Sequence, residues 1–155
     1  MNVQRAAHHY LSGPVVPVDV PALCAMVADA HAAARARGWR FRFVDADPFP
    51  SFGAMLASLP SGRPGDLIVY AGGSAGILPP SVNLLARALH DVDHVVARAP
   101  FGLDGELATA RLAAARAPAL ADWFAAEIVG QAAAFLSTGS FPVQRGAVRG
   151  MARFL

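Results

Sequence analysis

Ser81-Val82-Asn83-Leu84-Leu85-Ala86-Arg87-Ala88-Leu89-His90-Asp91-Val92-Asp93-His94-Val95-Val96-Ala97-Arg98 is the stretch on which the fold turns. Pro79 and Pro80 stand before it and Pro100 closes it, so the run is bounded by residues that suit a helix start and stop. Leu84, Leu85, Ala88 and Leu89 recur at helical spacing, which gives one apolar face. A helix that buries such a face needs other helices to bury it against. Most of the remaining apolar runs have the same period, and the expected class is all-α: a single domain over 1–155 of about six to seven helices. At most one minor strand is expected, near Phe41.

The polar part of this helix carries the chemistry. His90 and His94 lie one turn apart on one face, and Asp91 projects beside them three residues from His94. Two imidazoles and a carboxylate so spaced can share one divalent ion. Glu106, reached after eleven further residues at the start of the next helix, is the candidate fourth ligand. Zn²⁺ takes such mixed nitrogen and oxygen sets, and Fe²⁺ or Mn²⁺ accept them too. The same residues also occur as a solvated helix face, and Glu106 would gain from a helix dipole without any metal. Asp93, between the histidines, is the candidate acid/base.

The pattern His90-Asp91-x-x-His94, then Gly105-Glu106, resembles the signature of the Coq4 family of ubiquinone-biosynthesis proteins. Leu59-Pro60-Ser61-Gly62-Arg63-Pro64-Gly65, with Tyr70 after it, is similar to the segment that precedes the motif in that family. The resemblance covers roughly Leu56 to Arg116. Asp93 stands where an aromatic is usual, Leu112-Ala113 where Phe-Glu is expected, and the later Thr-Gly-Leu-Pro segment is absent, so the chain reads as a divergent, short member. The resemblance implies a helical protein with His90, Asp91, His94 and Glu106 as metal ligands and an isoprenoid or other apolar ligand nearby. It further implies chemistry of the decarboxylation and hydroxylation type on an aromatic head in ubiquinone or related synthesis. The implied partners are a prenylated or aromatic small molecule and other biosynthetic proteins.

Composition sets bounds around this reading. Apolar residues make up 55% of the 155 residues and charged residues only 15%, an excess that points to an apolar cavity, a homodimer interface or peripheral contact with a membrane. Abundant alanine supplies part of it without any exposed patch. All 13 basic side chains are arginine, and a net charge of +2 with no basic stripe among aromatics argues against nucleic acid. The single cysteine, Cys24, excludes an intrachain disulfide and fits a reducing, cytoplasmic compartment. No apolar run follows Arg5 that would serve as a signal or a span, so membrane contact is expected from the surface.

In chain order, residues 1–18 read as a lead-in without period, and His8 and His9 point apart. Asp19 and Pro21 open a helix that Gly38 stops, with Leu23, Val27, Ala30 and Ala34 as its stripe and His31 beside it. Trp39-Arg40-Phe41-Arg42-Phe43-Val44 alternates like a strand. Asp47-Pro48 is expected to open the next helix. Asp66 to Tyr70 is helix or strand by periodicity, and the family resemblance favours helix. Gly72 to Gly76 lacks a P-loop ending and reads as a connector. A helix from Ala119 to Leu136 has the stripe Leu120, Trp123, Phe124, Ile128, Ala132 and Phe135, and Glu127, one turn from Gln131, reads as a surface acid ahead of an extra ligand or a partner to the ligands. Residues 141–155 read as an amphipathic tail with Arg145, Arg149 and Arg153 along one side of a short helix, suited to an anionic surface or to its own domain.

Three functions follow. The first is the metal-dependent one that the resemblance implies, acting on an apolar ligand held between Leu84, Leu89, Trp123, Phe124 and Phe135. The second is an HD-type phosphohydrolase, since His90-Asp91 is also that dyad, with His31 and Asp104 or Asp122 as further ligands. The third is a lipid-binding scaffold in which the metal is structural.

Overall fold

The computed structural model describes residues 1–60, 63–72 and 76–155. The fold is all-α in class, with only short strands beside its helices. Its internal contacts divide the chain into two compact units, one of Val20–Phe101 and one that joins Met1–Asp19 to Gly102–Leu155.

The Val20–Phe101 unit contains α2 (Val20–Ala36), β2 (Arg40–Val44), α3 (Phe52–Ala57), β3 (Asp66–Tyr70) and α4 (Pro80–Ala97). The strands β2 and β3 pair in parallel, with Arg40 opposite Asp66 and Val44 opposite Tyr70, and α3 lies in the connection between them. Asp66 to Tyr70 is thus strand and not helix. Leu67 and Val69 face inward in alternation, and the β-branched run needs only one partner strand to leave the helical alternative behind. Arg40 and Asp66 close the start of the pair with an exposed ion pair of 2.5 Å. The helices α2 and α4 pack together, and α4 also meets β3. Leu23, Val27, Met55, Leu67, Ala88 and Val92 are buried in this unit.

The helix expected at Asp47 begins later. The Asp47 carboxylate accepts from the Phe49 amide, and Pro50 disfavours helix at Phe49, so α3 waits for Ser51, whose hydroxyl accepts from the Ala54 amide. Of the segment from Leu59 to Gly65, Ser61 and Gly62 lie outside the described residues. So do Gly73 to Ala75 of the glycine-rich connector.

The other unit opens with α1 (Val3–Ser12), where no regular structure is expected from sequence. Asn2 caps it by accepting from the Arg5 amide, and Ala6, Ala7 and Tyr10 form a buried stripe. That stripe is too short to stand out as a period, and it is packing against α7 (Gln131–Thr138) that makes it a helix. The rest comprises α5 (Leu103–Arg116), α6 (Ala121–Phe124), a π-helical segment Ala125–Gly130, and the strands β1 (Val15–Val16) and β4 (Ala147–Val148), which pair antiparallel. Its core is made of small residues around two large ones: Ala125, Ala126 and Ala134 surround Tyr10 and Met151. Gly130 is required there, because a Cβ would lie 2.4 Å from the Tyr10 ring.

Residues 141–155 form no amphipathic helix. Gly146 and Gly150 sit at φ 77°, which breaks helical continuity, and the chain between them is β4. Arg145 does not line a surface face: its guanidinium donates to the carbonyls of Tyr10 and Gly13. Asp122 accepts from the amides of Gly150 and Ala152 at 2.9 and 2.7 Å and so fixes the final 3₁₀ turn, Met151–Phe154. Pro118–Thr138 is long and apolar enough to cross a membrane by length and composition, a test that a core helix also passes.

Candidate metal centre and its cavity

The site is built on α4. Pro80 stands in its first turn, where a missing N–H is harmless, and the helix ends at Arg98, which adopts the left-handed conformation at φ 50° and ψ 39°. That turn returns the chain onto the last helical residues: the Ala99 amide donates to the His94 carbonyl at 3.0 Å. The Ala99 carbonyl in turn lies 2.8 Å from Nδ1 of His94. A carbonyl only accepts, so Nδ1 carries a proton, and in the neutral ring Nε2 is then the nitrogen with the lone pair. Such a partner on the second nitrogen is what orients a ligating histidine.

Nε2 of His94 faces Nε2 of His90 at 3.2 Å. If each nitrogen stood about 2.05 Å from a Zn²⁺ ion, that separation would subtend an angle of roughly 100°, close to tetrahedral. The same distance allows an Nε2–H of His90 to donate to His94, so the pair is satisfied with or without an ion. His94 is buried, with its ring edge-on to Phe101 at 5.2 Å and tilted against Phe52 at 6.3 Å. These rings hold the imidazole in place and keep water from one side of it. The chemistry of this donor pair fits a divalent cation.

His90 and Asp91 line a cavity of about 380 Å³. Asp47, Pro48, Phe49 and Pro50 of the loop before α3, Met55 of α3, Tyr70 at the end of β3, and Arg87 and Phe101 complete its wall. All of them belong to the Val20–Phe101 unit. The volume is within the range of small-molecule sites, and the lining combines apolar surfaces with a few polar groups. It is not the pocket expected between Leu84, Leu89, Trp123, Phe124 and Phe135. Trp123 and Phe124 are buried in the other unit, and Phe135 is 38% exposed and stacked on Phe141.

Of the candidate ligands, the structure brings together the Nε2 atoms of His90 and His94, and Asp91 lines the cavity beside His90 on the same helix. Glu106 stands in the first turn of α5, its amide donating to the Gly102 carbonyl at 2.8 Å. Asp93 is buried and is not among the described residues that line the cavity. The residues considered for a phosphohydrolase have other surroundings. The His31 ring packs on Phe41 at 5.0 Å, where burial first and then Arg35 hold its pKa down, and the Asp122 carboxylate caps two backbone amides.

Sequence reasoning missed Arg87 and misplaced Glu127. Arg87 shares the cavity face of α4, one turn before His90 and Asp91, a spacing that could have flagged it. Glu127 is not a surface acid. It accepts hydrogen bonds from Gln131 at 2.8 Å and from Gln144, and its Oε1 is buried without a partner. Burial raises its pKa to about 7 against the opposing pull of Gln144, the Gly146 amide and Gln131. Tyr10, within reach of that charge, is pushed to about 12, by burial first and Glu127 second. No family model, curated protein or solved structure matches the chain.

Proposed function

We propose that the chain is a Coq4-like metal-binding protein that takes an apolar aromatic or prenylated ligand into the cavity beside α4 and acts in the synthesis of ubiquinone or a related aromatic product. The observation that carries this reading is the pair of Nε2 atoms 3.2 Å apart, one of them oriented by the Ala99 carbonyl, with His90 on the wall of a cavity of ligand size. His90 and His94 supply the nitrogens that face each other on α4, and the resemblance adds Asp91 of the same helix and Glu106 as carboxylate ligands. The ion is most simply Zn²⁺, with Fe²⁺ or Mn²⁺ accepted by the same ligands. A cation held there would lower the pKa of a bound phenol and polarise its ring, which favours loss of an aromatic carboxyl group as CO₂ with a proton taken up at the ring carbon; hydroxylation at that carbon would need in addition a redox-active ion and an oxidant such as O₂. Phe49, Phe101 and the prolines of the loop position the ring and exclude water.

Metal analysis tests the first half. Wild-type protein is expected to hold about one divalent ion per chain, and His94→Ala to lose most of it, because the remaining donors are an incomplete set. Equal metal content in the two proteins would show that the ion, if any, is elsewhere. The second half is tested by a short-chain prenylated hydroxybenzoate, which should raise the melting temperature saturably. A flat response leaves the cavity without this ligand class.

A further inference from the structure

Arg87 lines the cavity one helical turn before His90 and Asp91. Its Nε is buried and meets no hydrogen-bond acceptor among the described residues. A guanidinium is charged at any physiological pH and consists only of donors. Withdrawing one of those donors from water without an acceptor is unfavourable, and the penalty is larger for a charged group. Nε itself is closed off, so it is the rest of the Arg87 side chain that borders the cavity, and a fixed positive charge beside a cavity suits an acceptor that arrives from outside. The acids already present do not serve. Asp47 is exposed and accepts from the Phe49 amide, and Asp91 has its own partner. Phe49 and Phe101 add apolar walls to the same cavity.

We infer that Arg87 anchors an organic oxyanion, a carboxylate or a phosphate ester, whose apolar body lies against Phe49 and Phe101. This rests on the cavity being the ligand site and not on the metal. Arg87 is therefore a specificity residue: it selects anionic over neutral molecules of the same shape. The planar fork of a guanidinium suits two oxygens of one group, so lysine would replace it only in part.

Calorimetric titration of the full chain with three probes of one body, naphthoate, naphthyl phosphate and the neutral naphthylmethanol, tests this. Wild type is expected to bind at least one anion about tenfold or more tightly than the alcohol. The tighter of the two anions identifies the source of the oxyanion. Arg87→Gln should lose the preference while metal content and melting temperature stay as in wild type, and Arg87→Lys should keep part of it. The inference is overturned if wild type binds the alcohol as tightly as both anions, if none of the three gives saturable heat, or if Arg87→Gln retains the preference. The wild-type comparison stands even where a variant fails to fold. An unchanged metal content in His94→Ala would remove the metal and leave the anion preference as it is.

Discussion

Both units of this molecule place titratable side chains among apolar helices, and they accommodate them in opposite ways. On α4, His90 and Asp91 border a cavity, and Nε2 of His94 faces Nε2 of His90. In the other unit, Glu127 lies in the π-helical segment Ala125–Gly130 with two glutamine amides closed over it and a tyrosine close by. A shifted acid is often taken as the mark of a functional site. Here the acid with the strongly raised pKa is enclosed by its own unit, and the groups that face space are elsewhere. What separates a site from a structural polar cluster is access, not perturbation.

The largest effect expected from breaking this contrast is in the enclosed unit. Tyr10→Ala removes a fully buried ring packed on Gly130 and should lower the unfolding free energy by roughly 3–5 kcal/mol, read by urea denaturation. Metal content of the folded fraction should not change.

The next effect concerns pH. The carboxyl of Glu127 is raised from 4.5 to about 7 in the folded chain, so below pH 4.5 both states are protonated and the group contributes nothing. Between those two values the folded state holds a proton that the unfolded state has released, and stability falls as pH rises, by about 3 kcal/mol in full. Glu127→Gln should remove this slope and make the protein more stable than wild type at pH 8 but not at pH 4. An identical pH dependence in the two proteins would mean that the carboxylate is solvated.

The smallest effect belongs to the open unit. Ser51→Ala deletes the cap of α3 and should cost about 1 kcal/mol. Because Pro48, Phe49 and Pro50 lead into that cap and wall the cavity, ligand affinity should weaken with it, while the matching change Asn2→Ala at α1 should cost a similar amount and leave affinity alone.

These differences also explain what could be read from the chain alone. The helix of His90 and His94 was legible because both its apolar face and its donors follow one period, and its bounds move by a single residue. The cavity was not, since its wall is gathered from Asp47, Met55, Tyr70, Arg87 and Phe101, which share no local pattern. The stripe through Phe135 failed for a different reason. A π-helical turn advances the helix by an extra residue, so the inward face passes from Trp123 and Phe124 to Val129 and Gly130, then to Ala133 and Ala134, and Phe135 is turned outward. A constant 3.6-residue period cannot anticipate that step. Likewise α1 owes its existence to alanines that meet Ala133, a contact between opposite ends of the chain.

The left-handed turn at Arg98 has a consequence that magnetic resonance can see. By returning the Ala99 carbonyl to Nδ1, the helix stop selects between the two neutral tautomers of His94 in favour of the Nδ1–H form, the reverse of the one that free histidine prefers in water. Long-range proton–nitrogen correlation spectra should then show one ring with its pyrrole-type nitrogen at δ1 and no averaging between forms. Arg98→Gly, which suits the same backbone angles, should leave that signature intact. Arg98→Val, whose branched side chain resists them, should blur it toward the solution mixture. The identity of the residue at the helix stop thus decides which imidazole nitrogen carries the hydrogen.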